Sequence, residues 1–523
     1  MNSFKRKALT CAVLAGLGGV ATTAEAVYRN PDGTGMVLVY PYYTVNSSNG
    51  NAYNTYISVT NTTSQAKVTK VRFREGRTSA EVLDFNLYLS PNDVWVGAIG
   101  PDNSAADSAA RLFGNFETSC TYPAIPAAGE PFKNVAYTGT TIDALPGTGL
   151  DRTREGYVEI FDMATLIGAL ATAVTHTTIG GPPPNCSAVR VDLTTSTNLT
   201  GPTGGMYGEA TIINVTSGAA VGYKADAIAA YRSNNFYSDV SATTPLLGAS
   251  AAPVSLVLAN NRATTDFWAS VAGEATPGAK AIAALFMHTS VMNDYVLDVG
   301  TRSNTDWVVT FPGKNEFYPT ATPVSPYTAV LTTNGACETA LFTFFDRDEF
   351  SANPPTTGFS PQQPGAAPNT GSLCWESTVL SIRNSSAFTS ASDISTSNPR
   401  SGVLGSRNVL AVSQTSPSFN AGWITMTFTG ANATGAAAGL LSATGSHLLA
   451  SETAGSFNTG GGLSGLGSAA TPHRFNGLPV TGFMVDSRAN AAIACTLVTG
   501  AAGSCSGNYM TLFEHSYRTA ITP

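Results

Sequence analysis

From Lys67 to Glu75 the chain alternates with period two: Thr69, Val71 and Phe73 point one way, and Lys70, Arg72 and Arg74 the other. Leu83, Phe85, Leu87 and Leu89 repeat the pattern against Asp84, Asn86 and Tyr88, as Ile57 and Val59 do against Tyr56, Ser58 and Thr60. A helix cannot sort residues this way, because its side chains return to one face every 3.6 residues and those of a strand every two. Turn-forming stretches punctuate the pattern at Asn30–Gly35, Asn61–Gln65 and Ser90–Asp93. The spacing predicts antiparallel strands with one solvated face, the beginning of a β-sandwich.

The same reading predicts strands at Met36–Val45, Val94–Val96, Met206–Val215, Asp306–Phe311, Leu341–Phe345, Trp375–Ile382, Trp423–Phe428, Phe483–Val485 and Tyr509–Tyr517. Short helices are expected at Ser104–Phe116, Ala164–Val174 and Tyr223–Arg232. A longer one is expected near 277–298, with Thr276 as N-cap, Pro277 at the first helical position and Ile282, Leu285, Phe286, Met292 and Val296 as its buried stripe. The fold class is therefore mainly β: antiparallel sandwich-like sheets with a few short helices, stapled by disulfides. The organisation expected is a sandwich-like region over 27–100, a mixed region over 101–300 and a β-rich region over 301–523. Two loops interrupt the last region, one proline-rich (351–372) and one rich in Gly and Ala (431–470).

Residues 1–26 read as a signal peptide: Lys5, Arg6 and Lys7, an apolar run from Ala8 to Val20, then Ala24-Glu25-Ala26. The run is too short to span a bilayer, which takes about 20 residues. The expected location is extracellular or on the cell surface, with Val27 as the mature start and no transmembrane anchor. Cys11 would leave with the leader, and Cys120, Cys186, Cys337, Cys374, Cys495 and Cys505 remain. An even count in an exported chain implies three disulfides, although six cysteines allow 15 pairings. Cys495 and Cys505 flank a short loop that a bridge would close as a hairpin, and Cys337 and Cys374 flank the proline-rich excursion, which leaves Cys120 and Cys186.

Only 12% of residues are charged and the net charge of −7 is dispersed, which argues against nucleic acid, whose phosphates need clustered Lys and Arg. Chemistry-bearing patterns are sparse. The five histidines (His176, His288, His447, His473 and His515) lack metal-ligand spacing, so each reads as structural or solvated. Gly460–Gly465 spells G-x-G-x-x-G without the strand and helix a nucleotide site requires, and no G-x-S-x-G elbow occurs. Leu478-Pro-Val-Thr-Gly482 matches a wall-sorting pattern but lacks the hydrophobic span and basic tail that should follow. Asp346, Asp348 and Glu349 could offer oxygens to calcium, but without a D-x-D-x-D-G loop they read better as a strand-end turn around Arg347. No catalytic residue, metal site or cofactor is expected. Tyr56 and Tyr88, if both point outward, would make a stacking platform.

Tyr40–Val45, Tyr56–Thr63, Val71–Gly76 and Asp84–Trp95 resemble the N-terminal region of an uncharacterised family of exported proteins of Gram-negative bacteria, loosely labelled cell-surface proteins. Asp306–Pro312, Cys337-Glu338 with Asp346–Asp348, and Leu373-Cys-Trp-Glu376 are similar to later landmarks of that family, whereas Ala431–Ala470 is poorly matched. The resemblance implies location and a shared fold, and brings no catalytic residues. The function expected first is a noncatalytic secreted or surface structural protein that packs against copies of itself, through sheet edges, or against envelope components. The alternatives are an extracellular glycan- or ligand-binding module and a secreted hydrolase whose carboxylate pair is scattered in sequence.

Overall fold

The computed structural model describes residues 26–522 apart from 47–51, 103–108, 115–116, 260–261, 299, 318–322, 349–350, 353–369, 385–393, 396–397, 415–419, 429–446, 452–472, 490–492, 497–501 and 506. The expected leader and most of the proline-rich and Gly/Ala-rich loops thus lie outside the described residues. Four large sheets form two sandwiches. Sheet I orders Tyr28–Arg29, Asp226–Ala229, Val37–Thr44, Glu155–Leu166, Lys67–Glu75, Glu81–Leu89 and Cys120–Tyr122, with Leu199–Thr200 beside Glu155–Leu166. Sheet II orders Ala219–Lys224, Met206–Asn214, Asn54–Asn61, Val94–Pro101, Ala110–Phe113 and Glu130–Pro131.

In the second sandwich, sheet III runs Ser351–Ala352, Glu338–Asp346, Ala421–Phe428, Ser290–Val296 and Ser516–Arg518, with Thr370–Leu373 beside Glu338–Asp346. Sheet IV runs Val409–Gln414, Ser377–Asn384, Asn304–Thr310, Thr481–Ala489 and Asn508–Glu514. Pairing within these four sheets is antiparallel except between Ser377–Asn384 and Val409–Gln414, which run parallel.

One core lies between sheets I and II, with Leu38, Val71, Phe73 and Ile160 facing Ile57, Val59, Trp95 and Ile212, and it extends to Val308, Val379, Phe483 and Val485 of sheet IV. Because strand side chains alternate, Val37, Val39, Phe161 and Met163 emerge on the opposite face of sheet I. They join a second core with the Pro277–Phe286 helix and the interior of the second sandwich, including Trp307, Phe342, Phe344 and Met426. Sheet I is therefore covered on both sides.

That burial overturns the expected wet face. All nine residues of Lys67–Glu75 are buried, including Lys70, Arg72 and Arg74. The alternation is as read, but the charged side faces protein. Arg72 stands in register with Asp84 on one neighbouring strand and Glu159 on the other. Its guanidinium forms an ion pair with Glu81 at 2.8 Å and donates to the carbonyls of Ala242, Thr243, Thr244 and Pro245 in the covering segment. Lys70 pairs with Asp84 at 2.6 Å and Arg74 with Glu159 at 3.2 Å. Charges can occupy an interior only when paired and hydrogen-bonded in this way.

Helix expectations also need correction. The long helix stops at Phe286; Met287–His288 and Ser290–Val296 are strands. The start is as read, since Thr276 Oγ1 accepts from the Ala279 N–H at 3.3 Å and Pro277 follows the cap. Beyond it, Thr289, Val291, Tyr295 and Val296 favour extended backbone, and Val291 and Tyr295 are buried in place of the expected Met292 and Val296. Tyr223–Arg232 is not helical: Ala219–Lys224 and Asp226–Ala229 are strands, and the first buries alternate residues against Met206–Asn214. Within Ser104–Phe116, Ala110–Phe113 is a strand. Of Ala164–Val174 only Gly168–Val174 is helix, because Ala164–Leu166 ends a twelve-residue central strand that the reading above missed.

Candidate functional site

Glu155, at the head of that central strand, locks the two sandwiches together. Its carboxylate accepts from Tyr42 Oη at 2.7 Å and Ser406 Oγ at 2.5 Å, and from the backbone N–H groups of Arg407 and Asn408 at 2.9 and 3.2 Å. Asp306 makes a similar clamp, taking the Val403 and Leu404 N–H groups at 2.9 and 2.8 Å. Glu75 accepts from Arg152, Thr78 and the Arg77 N–H. Glu155 and Glu75 use both oxygens, and Asp306 one, to accept from donors that hold loops in place.

Two of the expected disulfides are present, Cys120–Cys186 and Cys337–Cys374. Ile493–Thr496 and Ala502–Cys505 pair as the expected hairpin, while the side chains of Cys495 and Cys505 lie outside the described residues. Asp346 is buried at a strand end and accepts from the Asp348 N–H at 2.9 Å, and Arg347 reaches Asn420 at 3.0 Å. Glu349 lies outside the described residues, as does the Gly460–Gly465 motif. Among the described residues, no three metal-binding side chains converge, and no helix is long and apolar enough to cross a membrane. Leu478 and Pro479 are buried, bridging Met287 and His288, which makes the wall-sorting pattern part of the core.

The histidines are built in. His515 Nε2 faces Val308 O at 2.9 Å and burial holds its pKa down at about 4. His288 stacks on Tyr517 at 4.2 Å, and burial followed by the nearby Arg29 cation lowers its pKa well below the usual value. His447 approaches Glu338 at 3.6 Å and His473 meets Asp266 at 2.8 Å. Ser451 Oγ bonds the backbone of His473 rather than its ring, so Asp266, His473 and Ser451 make no nucleophile–base pair. His176 joins residues of catalytic type through its ring, which sequence spacing could not reveal. Its Nδ1 lies 2.7 Å from Ser90 Oγ, its Nε2 lies 3.1 Å from Thr118 Oγ1, and Asp93 stands 3.9 Å away. Ser90 Oγ donates to Val174 O at 2.8 Å, so its proton is committed and the imidazole donates to it. The ring ties the segments of Ser90, Thr118 and Val174 together.

Among the described residues, exposed aromatic side chains stand in two places: Tyr509 and Phe513 on Asn508–Glu514 of sheet IV, and the outer face of sheet II. Tyr88 is not part of it: the ring is buried and its hydroxyl donates to Val189 O at 2.8 Å. Tyr56 does point outward, 39% exposed, and the alternation of Met206–Asn214 brings out Tyr207, 38% exposed. Tyr207 lies opposite Thr60, four residues along the strand from Tyr56. At 3.4 Å per residue and about 4.8 Å between strands, their backbone positions stand about 14 Å apart.

Between the rings, Val96, Ser58, Glu209 and Lys224 form a row across four strands. Val94 and Thr60 flank Tyr207, and Thr211 and Gly222 flank Tyr56. This face carries hydroxyls, two aromatic plates, Glu209 opposite Lys224 in register, and Arg111 paired with Asp102 at 3.3 Å, so its charges balance. Sheet III differs: its outward Phe345 and Trp423 stack on each other at 4.2 Å, so their faces are mutually occupied. No family model, no curated protein and no solved structure matches this chain.

Proposed function

We propose that this protein is a noncatalytic exported surface component that binds extended, neutral glycans on the outer face of sheet II. The observation that carries the reading is the pair of outward tyrosines, Tyr56 and Tyr207, on neighbouring strands, with backbone positions about 14 Å apart and Ser58 and Glu209 between them. A tyrosine offers an apolar ring face and a polar tip, which suits an aliphatic C–H surface ringed by hydroxyls. Ser58, Thr60, Thr211 and Glu209 supply donors and acceptors between the plates, and the lack of a dominant charge favours an uncharged ligand. Export is part of the proposal. It is supported by the basic–apolar–small pattern of residues 1–26 and by two disulfides, which persist in oxidising compartments. Membership of the surface-protein family that the motifs resemble belongs to the same proposal.

Assembly by edge pairing finds less support. Sheet I ends in the short strands Tyr28–Arg29 and Cys120–Tyr122. Sheet II ends in Glu130–Pro131 on one side and in Ala219–Lys224 on the other, which lies beside Asn508–Glu514 of sheet IV. Short or covered edges are how β-proteins avoid adding strands from other chains. The test is a neutral-glycan array followed by titration calorimetry on the strongest ligand. Tyr56→Ala and Tyr207→Ala should each weaken binding by about tenfold, the worth of one good stacking contact. Unchanged affinity in both variants, or an array without ligands, refutes the proposal.

A further inference from the structure

Lys67 opens one inner strand of sheet I, and Asp162 sits in its neighbour, the central strand Glu155–Leu166. Lys67 stands opposite Thr165. Strict alternation would send Asp162, three residues from Thr165, to the other face of the sheet. The register shifts between Asp162 and Ala164, however, so Asp162 stands opposite Thr69 and shares the face of Lys67. A bulge of this kind re-aims a side chain at the expense of local pairing. Here it sets Lys67 Nζ 2.8 Å from Asp162 Oδ2, with both side chains wholly buried.

Hydrogen bonds around the pair are unevenly shared. Oδ2 also accepts from the Gly204 N–H at 2.9 Å, and Nζ also meets Thr203 Oγ1 at 2.6 Å. Oδ1 has no hydrogen-bond partner among the described residues. An idle carboxylate oxygen is costly to bury, and in the ion pair burial raises the Asp162 pKa against the pull of Lys67. Other buried carboxylates with an idle oxygen face groups that form no stable amide with them. Asp486 faces the Arg488 guanidinium, Asp266 the His473 ring and Asp306 two backbone N–H groups. At Lys70 and Asp84 the carboxylate keeps a solvent-exposed edge and also faces Arg72. Asp162 alone of these is sealed against a primary amine.

We propose that Lys67 Nζ and Asp162 Cγ condense into an intramolecular amide, a covalent stitch between two neighbouring strands of sheet I. The ammonium yields a proton to the carboxylate, the nitrogen lone pair attacks Cγ, and Oδ1 leaves as water with two of the three ammonium protons. The third stays as the amide N–H, and no oxidant or co-reactant is needed. With a C–O bond of about 1.2 Å, Cγ lies within about 4 Å of Nζ, and an amide, whose N and O stand about 2.2 Å apart, requires Nζ to close on Oδ2 by about 0.6 Å. Holding both groups in one geometry replaces the encounter that slows such a condensation in solution. The product also fits the site better than the ion pair does. The departing oxygen is the idle one, Oδ2 keeps the Gly204 N–H as the amide carbonyl, and the remaining N–H keeps Thr203 Oγ1. Burial then shields the bond from water. The stitch is independent of ligand binding at sheet II.

The test is tryptic mapping by mass spectrometry of the purified protein after reduction and denaturation in urea. Condensation removes one water, about 18 Da, and blocks cleavage after Lys67. The fragment Asn30–Lys70 should therefore appear joined to Glu155–Arg190, about 18 Da below the sum of the two. Free cleavage after Lys67 with an unmodified Glu155–Arg190 fragment overturns the proposal. So does a deficit of that size that maps instead to a succinimide at Asp32-Gly33 or to a link between Lys70 and Asp84. Lys67→Arg keeps a cation beside Asp162 but offers no primary amine, so its Glu155–Arg190 fragment should run unlinked at full mass. A linked fragment in that variant also overturns the proposal. The masses are read on denatured chains, so the wild-type result stands whether or not the variant folds.

Discussion

Acid should weaken this fold through two histidines, and His288 allows the effect to be isolated. Its ring is buried, stacked on Tyr517, and its Nε2 has no hydrogen-bond partner among the described residues. Burial and the neighbouring Arg29, itself paired with Asp226, oppose a second positive charge there. In the unfolded chain the same imidazole titrates near 6.5. Between that value and the lowered folded one, the unfolded state binds the extra proton, so stability present at neutral pH is lost as pH falls.

For a ring that stays neutral in the fold, the loss is about RT ln(1 + 10^1.5), or about 2 kcal/mol, at pH 5 and only a small fraction of that at pH 7. His515, held at about 4, behaves alike, and together the two rings remove about 4 kcal/mol over that interval. Buried carboxyls work in the opposite sense. Burial raises Asp162, Asp266 and Asp306, and it pushes Glu316 up to about 7 against the Gly248 and Ala249 N–H groups, so protonation favours the folded state. The diagnostic quantity is therefore a difference between proteins. His288→Phe keeps a ring to stack on Tyr517 and removes the titrating nitrogen. In urea unfolding at pH 7, 6 and 5, the variant should lose about 2 kcal/mol less than wild type between the extremes. Parallel profiles for the two proteins would refute the reasoning.

Glu155→Ala strands Tyr42 Oη, Ser406 Oγ and two backbone N–H groups, so it should cost about 3–5 kcal/mol, measured by urea unfolding. Replacing Cys120 and Cys186 with Ala opens a closed segment of 66 residues, and replacing Cys337 and Cys374 opens one of 37. Chain-entropy reasoning gives each pair about 4 kcal/mol, so the two variants should show similar drops in denaturation midpoint. Arg152→Met leaves the buried Glu75 carboxylate without its cation and should cost about 3–5 kcal/mol, read from the shift of the urea midpoint.

The strands of both sandwiches were legible where one face is apolar and the other is not, as at Asn54–Asn61 and Ala421–Phe428. Glu155–Leu166 escaped because burial on both faces erases alternation, leaving only the Tyr157–Phe161 run as a signal. Helix periodicity misled after Phe286 because apolar residues three and four apart also occur in a strand followed by a turn. What the sequence could not convey was which polar faces would be covered. Tyr88 and Tyr56 occupy equivalent places in their local patterns, yet the segment around Val189 covers one and nothing among the described residues covers the other. The partner of Tyr56 proved to be Tyr207, distant in sequence and visible only once Met206–Asn214 is placed beside Asn54–Asn61. The Ser90–His176–Thr118 contact and the Glu155 lock share that origin in long-range pairing.

Burying Arg72 looks wasteful, because buried ion pairs are often replaced by apolar residues without loss. The geometry argues that this one differs. The guanidinium not only faces carboxylates; it also satisfies carbonyls of Ala242, Thr243, Thr244 and Pro245, which no apolar substitute can reach. A covering loop of irregular backbone can lie on a sheet only if its polar groups find partners. Arg72 supplies them. It also fixes register, because a one-residue slip of Lys67–Glu75 would turn its charges into the apolar core and Val71 and Phe73 out of it. Arg72→Met should therefore cost about 3–5 kcal/mol. Adding Glu81→Gln, which removes the carboxylate left unpaired at the partly exposed end, should restore less than about 1 kcal/mol, because the stranded carbonyls remain. Full recovery in the double variant would mean that the ion pair, and not the covering loop, is what Arg72 holds.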